Sequence, residues 1–345
     1  MTEPSGDELV PAGDPIDAQA GDPAPDPAGP ARPSLFSLEG RTVPALYLVS
    51  WIAVLIGAGA VFISVMSGGT SASPWLFLVG IAFLSLGLVA GAGSQAVERG
   101  HREDLAFRGP SPALVLLAVV AITILLQIVI LAPLSALGLD ARSPAATVVN
   151  YLLTTLVYVG LVRMLVVGQG ALTWTEMGVF APDARAMVDL AAGAALAVPV
   201  VLVVQVLTRV LDGALRLGAS ATSLPPMSTP VDVLLALLAV AVLAPVGQEL
   251  FFRGYATAAW ERAAGRRAAI IRGAILFALV VVLTQFDVSF SAGAPRALVS
   301  FLTVLPLALA LGWVFLGRRS LYAAIGMHAA YSAITLLLGV LAIAA

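Results

Sequence analysis

The sequence predicts an all-α, polytopic membrane protein with eight or nine spans, and three observations predict it. The 345 residues are 60% hydrophobic and only 11% charged, too little charge to cover a soluble domain of that length. Apolar runs of about 20 residues, long enough to cross a hydrocarbon core, recur from residue 44 onward. The 18 basic residues, all arginine, gather in alternate loops. There is no cysteine, which excludes disulfides, thiolate metal sites and a cysteine nucleophile. The expected partner is the lipid bilayer, with no nucleic acid.

Residues 1–42 are rich in Pro, Ala and Gly and carry acids at Glu3, Asp7, Glu8, Asp14, Asp17, Asp22 and Asp26. Such a segment cannot bury enough apolar surface to fold and reads as a disordered cytoplasmic tail. It lacks the basic start of a signal peptide. Residues 43–186 then read as N-terminal transmembrane helices plus an interfacial helix, and 187–345 as a transmembrane core. The apolar runs fall near 44–66, 75–93, 113–137, 145–168, 187–211, 231–257, 268–284, 297–316 and 320–343. The seventh is short and the sixth is interrupted, so the count is eight or nine. With the N-terminus inside, eleven arginines fall in inner segments and three, Arg142, Arg216 and Arg296, in outer loops. That bias predicts a plasma-membrane protein with a cytoplasmic N-terminus and an external C-terminus.

Smaller features refine the elements. Gly87 and Gly91, four apart, favour close helix packing. Thr173 and Glu176 have capping-box spacing and predict a short helix carrying Trp174 and Met177. That helix lies in the interface plane or is a plain loop with an aromatic anchor. Gln127 and Asn150 read as interhelical hydrogen-bond formers, and Arg163 and Arg272 as side chains that snorkel to a nearby end.

The chain is organised around Ala244–Tyr255, where Glu249 and Arg253 follow a run from Val231 to Leu243 whose one charge is Asp232. A charge at the bilayer centre costs about 2.5–3.5 kcal/mol on insertion scales. Their spacing of four places the two on one helical face. Pro245 and Gly247 predict a kink or break just before them. His328 lies inside the last apolar run, with Ser332 four residues later on the same face. On the residues alone, a buried histidine satisfied by a neighbour is the plainer reading.

These stretches resemble a known family. An intramembrane Glu-Glu-x-x-x-Arg, a Phe-x-x-x-His one helix later and a His-x-x-x-Asn near the C-terminus mark the CAAX protease and bacteriocin-processing family. Its type II CAAX prenyl endopeptidases are polytopic helical proteases that remove short C-terminal peptides behind a prenylated cysteine. The resemblance covers roughly 230–340, most closely at Pro245, Gly247, Glu249, Phe252, Arg253, Gly254 and Tyr255, and more weakly near Gly178. It implies an intramembrane endopeptidase acting on membrane-anchored or lipidated peptides. Glu249 would serve as base, His328 as acid or orienter, Ser332 as oxyanion donor, and Arg253 as the charge that keeps Glu249 ionised.

The chain departs from the motif at three positions. Gln248 stands where the first Glu belongs, Val281 where the middle His belongs four residues after Phe277, and Ser332 where the Asn belongs. Gln285 shares the Val281 face one turn on, but an amide is no base, and Asp287 falls in the next loop. Zinc, if used, would have only Glu249 and His328 as candidate ligands, short of the three a catalytic site normally has. A non-catalytic family member binding a hydrophobic or membrane-anchored partner is the alternative. A small-solute transporter is a further one.

Overall fold

The computed structural model describes residues 36–38, 41–42, 44–67, 73–215, 227–285 and 290–344. The predicted disordered tail, apart from its last few residues, lies outside them. Those last residues form a two-residue antiparallel pairing, β1 (Ser37–Leu38) with β2 (Arg41–Thr42). The rest is helical: α1 (Pro44–Met66), α2 (Ser73–Gly100), α3 (Pro112–Ala136), α4 (Pro144–Val167), α5 (Ala184–Ala214), a long stretch from Pro230, α8 (Phe290–Arg318) and α9 (Leu321–Ala344).

Among the described residues, eight helical stretches are long and apolar enough to span a membrane, and the chain is a multi-pass membrane protein. One of the eight, Pro230–Leu283, is 54 residues long. At about 1.5 Å per residue a straight rod of that length far exceeds a bilayer. It is folded in two at Gly265, whose φ of 80° and ψ of 169° are open essentially to glycine alone. The arms are α6 (230–264) and α7 (266–285). Thr257 faces Gly273 across the turn, and the ring of Phe252 lies 5.1 Å from that of Phe277. Both pairs are nearly symmetric about residue 265, as an antiparallel hairpin requires. The hairpin accounts for both halves of the eight-or-nine expectation.

Small residues set the tightest packing. A Cβ on Gly87 would lie 2.7 Å from the Ser50 carbonyl oxygen of α1, so the predicted close approach of α2 is present. The α5–α9 contact is closer still. A Cβ on Gly193 would fall 1.9 Å from the Ala323 carbonyl oxygen, and one on Gly326 2.1 Å from that of Leu190. Gln127 and Asn150 hydrogen-bond each other between α3 and α4, as their positions predict.

The distortion predicted around Pro245 takes a specific form. The α6 axis is not broken; the backbone stays right-handed helical at Leu243, Ala244, Glu249 and Leu250. It widens into π-helical turns at Leu238–Leu243 and Leu250–Thr257, on either side of Ala244–Glu249. Pro245 has no N–H to donate to the preceding turn, which favours such a wide turn. The Thr155 hydroxyl of α4 donates to the Leu243 carbonyl at 2.7 Å. Gly247 lets α4 approach, because a Cβ there would stand 2.9 Å from the Thr155 Cα.

One end of the bundle collects the loops at 101–111 and 168–183 and the turns at 265 and 319. Salt bridges tie the 168–183 loop, the start of α5 and the two turns together: Arg262 with Glu176 at 2.5 Å, Arg318 with Asp189 at 2.7 Å, and Arg319 with Glu261. The Thr173–Glu176 capping hydrogen bonds form, but the predicted short helix does not follow. The segment is a turn that ends at Gly178 in the left-handed region (φ 76°), where the Leu321 amide donates to the Gly178 carbonyl.

Candidate functional site

The site is assembled by three helices. Helix α6 supplies Glu249 and Arg253, α7 supplies Phe277, and α9 supplies His328. Glu249 Oε1 accepts from Arg253 Nη1 at 3.1 Å and from His328 Nδ1 at 2.7 Å. Arg253 Nη2 donates to the Ala308 carbonyl of α8 at 3.2 Å. Glu249 is 0% exposed, Arg253 1% and His328 6%. With Leu321 opening α9, His328 lies about 10 Å along the helix from the charged end.

Burial decides the character of the cluster. A carboxylate taken out of water alone carries a large desolvation penalty, so it is kept only with partners at hydrogen-bond distance. Here the carboxylate and the guanidinium cancel, and the imidazole hydrogen bond adds to the pair. The ring of Phe277 holds the arrangement together. Its centroid is 4.5 Å from the Arg253 guanidinium carbon and 5.7 Å from the His328 ring, which meets it edge-on. Phe251, Phe252 and Tyr158 pack behind it. One atom lacks a partner: Glu249 Oε2 is buried with no hydrogen bond among the described residues.

The structure joins some predicted residues and leaves others apart. Glu249, Arg253 and His328 meet on one carboxylate oxygen. Gln248 is half-buried and makes no hydrogen bond to them. The predicted hydrogen bond from Ser332 to the imidazole is not present; Nδ1 of His328 is taken by Glu249, and Ser332 is half-buried one turn further along α9. Val281 is partly buried against the apolar core. The Gln285 side chain and Asp287 lie outside the described residues. The residues present do not make a zinc site: no group of three His, Cys, Asp or Glu side chains converges among the described residues. The shared carboxylate oxygen already faces a cation and an N–H donor.

Sequence reasoning assigned no role to Phe277 beyond its motif position, to Ala308, or to Thr155. Phe277 was findable as the aromatic of the middle motif. Ala308 acts through its backbone carbonyl and leaves no side-chain signal. Asp189, buried on α5 beneath Arg318, was also missed, and its position near the start of an apolar run was the only hint.

Residues 230–334 match the family model of the Rce1-like type II CAAX prenyl endopeptidases. The match spans Glu249, Arg253, Phe277, His328 and Ser332, and it bears out the resemblance drawn from these residues. No curated protein and no solved structure matches the chain.

Proposed function

We propose that this multi-pass membrane protein is an intramembrane endopeptidase of the CAAX type that hydrolyses membrane-associated or lipidated peptides without a metal. The observation that carries the reading is the unpartnered Oε2 of Glu249, on the carboxylate that also holds His328 Nδ1. A carboxylate held by two donors on one oxygen, with its other oxygen free of hydrogen bonds, supplies the acceptor that general-base activation of water requires once water reaches this buried atom. In the proposed reaction Oε2 takes a proton from water, the hydroxide adds to the scissile carbonyl, and the C–N bond breaks as that proton passes to the leaving amine. Arg253 pairs with the other carboxylate oxygen of Glu249, and His328 fixes that oxygen through Nδ1. Ser332 is the proposed donor to the developing oxyanion. Gln248, at the family's first acidic position, has no proton-transfer role.

A second reading has its own support. Val281 removes a histidine, and Glu249 is wholly buried, so the same cluster serves equally as a clasp in a non-catalytic protein that binds a membrane-anchored partner. The proposed topology, from the arginine bias, is a plasma-membrane protein with its N-terminus in the cytoplasm and its C-terminus outside.

The test is cleavage of farnesylated and transmembrane reporter peptides by purified protein in proteoliposomes, with and without a chelator. The reading expects cleavage that survives chelation and is lost in Glu249→Gln. Cleavage unaffected by Glu249→Gln would overturn the assigned role. Binding of the same peptides without cleavage would establish the clasp.

A further inference from the structure

A shallow groove opens where the first turn of α5 meets the last turn of α8. Ala184, Arg185, Val188, Asp189, Gly317 and Arg318 line it, and its volume is about 570 Å³. Three observations bear on what it holds. First, its charge is unbalanced. Arg318 engages Asp189 through Nε at 2.7 Å, the geometry that leaves its terminal nitrogen pair for a second acceptor. Arg185 stands 3.9 Å from the same carboxylate and is stacked over the Phe180 ring at 4.7 Å. Arg266 Nη2 would lie 3.7 Å from a Cβ on Gly317. The other nearby acid, Asp183, is turned to the Ala186 amide of its own helix at 3.0 Å. Two guanidiniums thus share one buried carboxylate.

Second, those guanidiniums are accessible yet held in place. The Arg185 side chain is 62% exposed and that of Arg318 41%, while Asp189 beneath them is nearly enclosed. Third, the groove lies where apolar surface begins. Met187 and Val188, in the next half-turn of α5, are exposed, and Val198, Leu202 and Val206 continue an exposed apolar surface along the helix. A ligand with an anionic head and apolar tails matches that succession, whereas a soluble anion uses only its first part.

We propose that this groove binds the phosphate of an anionic phospholipid, with Arg185 and Arg318 on the phosphate and the acyl chains along α5. Basic pockets between transmembrane helices at the loop end of a bundle are suited to such headgroups. The site lies outside the Glu249 cluster and is independent of whether the protein cleaves peptides.

The experiment is thermal unfolding of the full chain in nanodiscs of phosphatidylcholine with and without phosphatidylglycerol. The anionic lipid should raise the midpoint, and Arg185→Gln should remove most of that gain. Arg185→Gln is chosen because it leaves the Arg318–Asp189 pair intact and so should fold. Arg102→Gln, at an exposed arginine paired with Asp104, should keep the gain. A gain of equal size in Arg185→Gln, or no difference between the two lipid compositions, would overturn the proposal. So would inorganic phosphate in detergent reproducing the whole gain, because the source would then not be a lipid.

Discussion

The Glu249–Arg253–His328 cluster and the salt bridges at the loop end of the bundle use the same chemical groups at similar distances. Arg253 and Glu249 are 3.1 Å apart; Arg262 and Glu176 are 2.5 Å apart. What separates them is solvent. The first pair is wrapped in Phe252, Phe277 and helix backbone, with exposures of 1% and 0% for its side chains; the second has exposures of 37% and 43%. Distance therefore says little about what each pair contributes. In water the attraction is screened and offset by side-chain entropy, and exposed pairs contribute about 0.2–1 kcal/mol. In the interior, the desolvation of both ions offsets much of their attraction, but breaking the pair strands a charge, at a cost of about 3–5 kcal/mol.

The sharpest way to break this comparison is Arg253→Ala. It should lower stability by about 3–5 kcal/mol, because Glu249 is left buried with only His328 beside it. Thermal unfolding in detergent checks it, and a midpoint equal to wild type would show that the pair is not buried. Glu249→Gln combined with Arg253→Met should be milder than the sum of the single changes, since neither charge is then stranded. Additive losses in that double-mutant cycle would mean the two do not act as a pair.

Phe277→Leu should cost about 2 kcal/mol through the lost ring contact to the guanidinium and the smaller side chain. It keeps every hydrogen bond in the cluster, so it separates aromatic support from charge pairing. A loss as large as that of Arg253→Ala would shift the weight from the ions to the ring.

How much of this was legible in the sequence follows the same division. The Glu249–Arg253 pair was readable because charge inside an apolar run is costly and the spacing of four fixes a face. His328 was readable as a lone titratable group in a span. Their meeting was legible only through the family resemblance, which puts Glu249 and His328 in one site, and not through spacing, because it depends on α9 packing against α6, and that in turn on α5 accepting α9 at Gly193 and Gly326. The effect of Pro245 was legible as a distortion but not as paired wide turns, since the outcome depends on Thr155 supplying a donor from another helix. At the loop end, Thr173 and Glu176 declared their capping bonds locally, yet the segment is held as a turn by tertiary partners, Arg262 on Glu176 and the Leu321 amide on the Gly178 carbonyl. The predicted Ser332–His328 bond failed for a related reason: the imidazole found a charged acceptor across the bundle, which outweighs a neutral hydroxyl on its own helix.

At the exposed end the expected effects are small. Arg262→Ala should lower stability by about 0.2–1 kcal/mol, and added salt should shrink the difference between variant and wild type. Salt should leave the Arg253→Ala difference nearly unchanged, because ions do not reach the interior. A salt-insensitive loss at Arg262 would remove the contrast.

The smallest effect is in pH. Glu176 titrates below the usual glutamate value, chiefly because the Thr173 backbone amide donates to its carboxylate, helped by the Thr173 hydroxyl and Arg262 against a partial desolvation. A carboxylate whose folded value is depressed stabilises the fold at pH above its unfolded value of about 4.3, and that stability fades as pH falls through the lower folded value. Other carboxylates titrate in the same range, so the quantity to measure is the difference between wild type and Glu176→Gln. That difference should be constant from pH 7 to about 5 and close as the pH drops below about 4, by well under 1 kcal/mol given the exposure of the side chain. A difference that persists undiminished to pH 3 would mean the turn at 173–178 is held by packing of Met177 and Trp174, with the charge on Glu176 contributing nothing.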